Sequence, residues 1–139
     1  MVKFILGKKG AGKTKWLIDG ANKDITEGNG NIAFVDVDDE HIFSLDYNVR
    51  LINAKEYGVE TLSAFYGFLS GMLAMDYDLE KIYVDSIYKV INITSEDLKG
   101  LYETLEAICK KNECEIYINI DLTESEIPEE FKEYSIEVK

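Results

Sequence analysis

The chain has 139 residues, 46% of them hydrophobic, with one Pro and ten Gly. That is enough apolar mass for one core and excludes a disordered or Pro-rich protein. The net charge of −12 is unevenly placed: residues 1–23 carry six Lys against Asp19, a net of +5, and the remainder carries nine basic and 26 acidic residues, a net of −17. A basic end on an acidic body suits a small anionic ligand and argues against a broad nucleic-acid surface.

The elements follow in chain order. Val2 to Leu6 reads as a short buried strand, and Lys13 to about Ile25 as a helix. A turn is expected at Asn29-Gly30, then a strand from Asn31 to Val37. Asp38 to Asn48 is an acidic, irregular connection, and Val49 to Asn53 a further short strand. Val59 to about Met75 reads as a helix, apolar on most faces, packed on a sheet. Lys81 to Asp85 is a strand. Ser95 can cap a helix from Glu96 to Lys111, with Leu98, Leu101, Leu105 and Ile108 along one face. Glu115 to Ile120 is a strand, Pro128 opens a helical turn through Glu133, and Ser135 to Val138 is a last strand. Alternating strands and helices predict an α/β fold: a three-layer αβα sandwich, as a single domain over 1–139, with a mostly parallel sheet of five or six strands.

The uncharged run Thr61 to Met75 is 15 residues, short for a membrane span, and the chain enters a strand at once, so neither a membrane segment nor a signal peptide is expected. Cys109 and Cys114 with the single His41 fall short of an ordinary four-ligand zinc site. They read as free thiols of a reducing, cytoplasmic setting.

Gly7-Lys8-Lys9-Gly10-Ala11-Gly12-Lys13-Thr14 fits G-x-x-x-x-G-K-[ST] at every fixed position, between a strand and a helix. In that setting the backbone N–H groups curl around phosphate oxygens, and the helix N-terminus adds partial positive charge. Lys13 brings a full charge to the β/γ-phosphates, and Thr14 offers a hydroxyl to Mg²⁺. Lys81-Ile82-Tyr83-Val84-Asp85 supplies the second half: an apolar run closing on a carboxylate that can hold the metal with Thr14.

The strand-and-helix segment between the first helix and Asp85 gives the chain a resemblance to the RecA-like, additional-strand class of P-loop ATPases. The resemblance implies a P-loop NTPase fold binding ATP and Mg²⁺. Its members commonly place a Glu directly after the metal-binding Asp, where this chain has Ser86. A serine hydroxyl is a poor general base. Asp36, ending the second strand, is then the candidate catalytic acid beside Lys13 and Asp85, with a solvated acidic turn as the other reading of Asp36 to Glu40. The resemblance also implies a polar residue that senses the γ-phosphate, at the end of the strand expected between the first strand and the Asp85 strand. Asn119 is the candidate there.

G-K-x-G-x-G-K-T also resembles the deviant loop of the ATPases that position division sites and partition chromosomes. That likeness implies a homodimer in which Lys8 crosses to the partner's nucleotide. Lys9 stands where those proteins have Gly. Gly67-Phe68-Leu69-Ser70-Gly71 reads as close helix-on-sheet packing, with a dimer face as the alternative. Glu56-Tyr57-Gly58, Phe65 to Gly71 and Ile82 to Ser86 resemble a family of small bacterial P-loop proteins, some labelled twitching-motility ATPases.

No N-K-x-D follows a late strand, since Asn22-Lys23-Asp24 lacks the spacer, so ATP is favoured over GTP. With Arg50 as the one Arg, a small-molecule kinase lacks its usual cationic clamps. The leading expectation is an ATP-binding protein with weak or partner-stimulated Mg²⁺-dependent ATPase activity. A non-hydrolysing nucleotide switch or interaction module is the alternative.

Overall fold

Six strands, each short and apolar, form one sheet. The computed structural model describes residues 1–28 and 30–139, so the turn expected at Asn29-Gly30 lies partly outside the described residues. The strands are β1 (Val2–Leu6), β2 (Asn31–Asp36), β3 (Arg50–Asn53), β4 (Leu79–Val84), β5 (Glu115–Asn119) and β6 (Ser135–Glu137). The helices are α1 (Lys13–Glu27), α2 (Leu62–Met75) and α3 (Leu98–Asn112). The strand order is β3-β2-β4-β5-β1-β6, and every pairing is parallel. Runs such as Phe4-Ile5-Leu6 and Ile82-Tyr83-Val84 are buried throughout, because a covered parallel sheet buries both faces of its strands.

The crossovers explain which face each helix takes. From β1 the chain crosses toward β2 through α1, then moves outward to β3. From β3 it returns through α2 to β4, through α3 to β5, and beyond β1 to β6. Right-handed crossovers running in opposite directions deposit their connections on opposite faces. Leu17, Ile18 and Ala21 of α1, with Leu45 and Val49 from the connection to β3, pack on one face against Ile5, Ile32, Phe34 and Tyr83. Phe65, Leu69 and Leu73 of α2, Leu98, Leu101 and Leu105 of α3, and Phe131 pack on the other against Phe4, Ala33, Val35 and Ile116.

Under α1 the sheet carries a row of aromatic rings across three strands. Tyr83 and Tyr117 are register partners whose rings stack at 5.0 Å between centroids. Phe34 stacks on Tyr83 at 6.5 Å, and Trp16 of α1 leans on Tyr117 at 5.9 Å. Each such pair adds about 0.5–1.5 kcal/mol beyond the area it buries. Asp24 of α1 accepts hydrogen bonds from the Tyr83 hydroxyl and, at 3.1 Å, from Lys81 Nζ, tying the helix to β4.

Several local expectations need correction. α2 starts at Leu62 rather than Val59, because Thr61 is the cap and its hydroxyl accepts the Ala64 N–H at 3.1 Å. Its apolar surface is only partly covered: Phe65, Leu69 and Leu73 are buried, while Met75 is 88% exposed. Nothing lies within 4 Å of a Cβ added at Gly67 or Gly71, so these glycines do not mediate the expected helix-on-sheet packing. Thr94 rather than Ser95 opens the next helical segment. Asp97 accepts from both the Thr94 N–H (2.8 Å) and its hydroxyl (3.0 Å), and one 3₁₀ turn (Ser95–Asp97) precedes α3. The buried face of α3 also takes in Cys109, and Ile108 is half-buried against the same core. No helix among the described residues is long and apolar enough to cross a membrane.

Candidate functional site

The carboxyl ends of β1, β2, β4 and β5 meet along one edge of the sheet, and Lys13, Thr14, Asp36, Asp85 and Asn119 gather there. Outside the carboxyl ends of parallel strands, where crossovers part to opposite faces, lies the usual crevice for a ligand. The loop after β1 is held at both ends. The Gly7 N–H donates to Leu122 O (3.1 Å), and the Ala11 N–H to Lys8 O (3.0 Å). Gly7 also lies against the chain after β6, where an added Cβ would stand 2.7 Å from Val138 O. Gly12 caps α1 with φ +105°, and no side chain accepts the first amides of the helix. The helical ladder begins with Trp16 N–H to Gly12 O, so the amides of the first turn remain available to an anion.

Lys13 folds back beneath this loop. Its Nζ donates to Gly7 O at 2.6 Å, stands 3.8 Å from the Asp121 carboxylate, and lies 5.7 Å from the Tyr88 ring centroid. Burial pushes its pKa down, while the charges of Asp121 and Asp85 pull it up. Thr14 Oγ1 donates to Asp85 Oδ1 at 3.0 Å. That oxygen also accepts from Ser86 Oγ (3.1 Å) and Asn119 Nδ2 (2.6 Å). Asn119 Oδ1 in turn accepts the Ser86 N–H at 2.6 Å. Asn119 is fully buried and faces Asp85, not the open cleft. Ser86 sits at φ +60°, a left-handed conformation that costs a non-glycine residue about 1–2 kcal/mol. The two hydrogen bonds to Asn119 and Asp85 offset that cost.

Asp36 ends β2 beside β4. Its Oδ1 accepts the Val37 N–H at 2.7 Å, and its Oδ2 has no hydrogen-bond partner among the described residues. Burial raises its pKa to about 6. The Val37 N–H and His41 oppose that shift, and the charges of Asp85 and Asp38 add to it.

The loop divides two clefts. One, of about 530 Å³, is lined by Lys9, Gly10, Lys13, Thr14, Ser86 and Tyr88 among others. The other, of about 730 Å³, lies toward β6 and includes Lys8, Lys9, Lys132 and Glu137. Lys8 and Lys9 are exposed and make no ion pair among the described residues. Arg50 lies on the edge strand β3, away from the loop.

Sequence reasoning missed Tyr88 and the pairing of Asp121 with Lys13. No local pattern marks Tyr88. Asp121 follows a strand end, the one available signal. Chemically, the edge offers amide donors, a buried ammonium and a hydroxyl–carboxylate pair, a donor set suited to a phosphorylated anion and a hard dication. Compared with protein-family models and with curated proteins, the chain matches none.

Proposed function

We propose that this protein binds Mg²⁺-ATP in the manner of a P-loop NTPase and hydrolyses it weakly, or when stimulated by a partner. The observation that carries the reading is the 3.0 Å hydrogen bond between Thr14 Oγ1 and Asp85 Oδ1. It pairs the hydroxyl that follows the loop lysine with a carboxylate from another strand end, and a Mg²⁺ ion taking both as ligands fits that donor set. Bound there, Mg²⁺ would neutralise charge on the β- and γ-phosphates. The amides of Gly10 and Gly12 would face those oxygens, the Ala11 N–H would leave Lys8 O to join them, and Lys13 would turn from Gly7 O toward them. Asn119 would hold Asp85 in place. β5 lying between β1 and β4 supports the additional-strand arrangement.

Slow turnover follows from Ser86, whose hydroxyl is spent on Asp85. Asp36 is an acid beside Asp85, and its raised pKa suits a proton acceptor near neutral pH. The same occupied serine favours the second reading, a nucleotide switch without hydrolysis. A cytoplasmic protein acting alone or as a homodimer through Lys8 is part of the proposal.

Calorimetry with Mg²⁺-ATP and phosphate release on the same sample separate the two readings. Turnover abolished in Lys13→Ala supports the ATPase, and binding without turnover supports the switch. Absence of binding to any nucleotide would sink both.

A further inference from the structure

Asp36 is 1% exposed, yet its Oδ2 has no hydrogen-bond partner among the described residues. An unpaired buried polar atom costs about 1–3 kcal/mol, and such groups in native structures are nearly always satisfied by something. The single histidine of the chain lies five positions further on, in the acidic connection after β2. Donor atoms of Asp36, His41 and Asp85 all lie within 4.8 Å of one another. Neighbouring donors around a transition-metal ion at ordinary bond lengths stand about 3.0–3.4 Å apart. A contraction of roughly 1–2 Å would therefore close the group around an ion. His41 lies on turns rather than on a strand or helix, so it can supply that movement without breaking the sheet.

We propose that Asp36, His41 and Asp85 form a binding site for a first-row transition-metal dication of the Mn²⁺, Co²⁺ or Zn²⁺ class. Two carboxylates balance the charge of the ion, and the unpaired oxygen of Asp36 gains its missing partner. The imidazole sets the selectivity, since Mg²⁺ prefers oxygen donors and water while nitrogen donors favour transition ions. Asp38 and Glu40 form a second group with His41 on the outer side and supply an acidic approach. Asp85 is shared with Thr14, so the ion would sit beside the glycine-rich loop. The site goes beyond the nucleotide reading and does not rest on it, because all three donors are present without nucleotide.

The test titrates Co²⁺, then Mn²⁺ and Mg²⁺, into the full nucleotide-free chain, followed by calorimetry and by the visible ligand-field spectrum of Co²⁺. The expected result is Co²⁺ binding at least about tenfold tighter than Mg²⁺, weakened about tenfold or more in His41→Ala and in Asp36→Asn. Asp39→Asn, an exposed acid of the same turn outside the group, is expected to change affinity less than about twofold. Circular dichroism checks folding, and His41→Ala, on an irregular connection, decides the matter if Asp36→Asn unfolds. Absence of Co²⁺ binding, binding indifferent to His41→Ala, or equal loss in Asp39→Asn would overturn the proposal.

Discussion

Thr14 and Asp85 are 71 positions apart, yet the Thr14 hydroxyl donates to the Asp85 carboxylate at 3.0 Å. The contact joins the first turn of α1 to the end of β4 across the intervening strand β5. In the proposed reading it marks where a metal and a phosphate would meet. Thr14→Ser keeps the hydroxyl and Thr14→Ala removes it. Mg²⁺-ATP affinity is expected to fall about tenfold or more in Thr14→Ala, equivalent to about 1.4 kcal/mol, and to stay within about threefold of wild type in Thr14→Ser. Calorimetry with and without Mg²⁺ checks this, and equal affinity in both variants would remove the hydroxyl from the metal site.

Asn119 is expected to act on Asp85 and Ser86 through its two 2.6 Å hydrogen bonds. Asn119→Leu keeps the branched shape and the number of non-hydrogen side-chain atoms and leaves the buried Ser86 N–H without a partner. The expected cost is about 2–3 kcal/mol of stability, measured by urea unfolding. A loss under about 0.5 kcal/mol would mean that these bonds do not hold the strand end together.

Gly7 meets the C-terminal segment at its backbone. A methyl group there would stand 2.7 Å from Val138 O, and φ is +153°. Gly7→Ala must displace the chain after β6 or the loop itself. Destabilisation of about 1–3 kcal/mol is expected from a thermal melt, together with weaker nucleotide binding. An unchanged melting temperature would show that β6 yields freely.

Tyr83 and Tyr117 stack under α1, and burial raises the pKa of both phenols, that of Tyr117 to about 12. A phenol whose folded pKa exceeds the unfolded value of about 10 loses stability as pH rises. The contribution is intact below about pH 10 and falls away between about 10 and 12 as the unfolded state ionises first. Phenolate absorbance is expected to show tyrosines that titrate late, together with declining thermal stability across that window. Tyr117→Phe should flatten part of the decline, and an unchanged profile would contradict the assignment.

Much of the fold was legible locally. β1, the glycine-rich loop and α1 follow from an apolar run, a glycine spacing and a helical period within residues 2–27. Asp85 was singled out as the close of an apolar run, and the structure ends β4 at Val84, one residue before it. The exposed glycine face of α2 was misread, because an apolar helix does not say which of its sides meets the sheet.

Sequence alone determined the element types, the alternating α/β order and the functional groups offered by Lys13, Thr14 and Asp85, because apolar runs, the 3.6-residue period and turn geometry are properties of neighbouring residues. Tertiary structure decided which strand ends lie side by side. β5 next to β4 spends Asn119 on Asp85, the chain beyond β5 sets Asp121 beside Lys13, and β2 next to β4 brings Asp36 and His41 to Asp85. Those encounters depend on strand order and crossover direction, which arise from burying the whole sheet at once. No short stretch of residues carries that information.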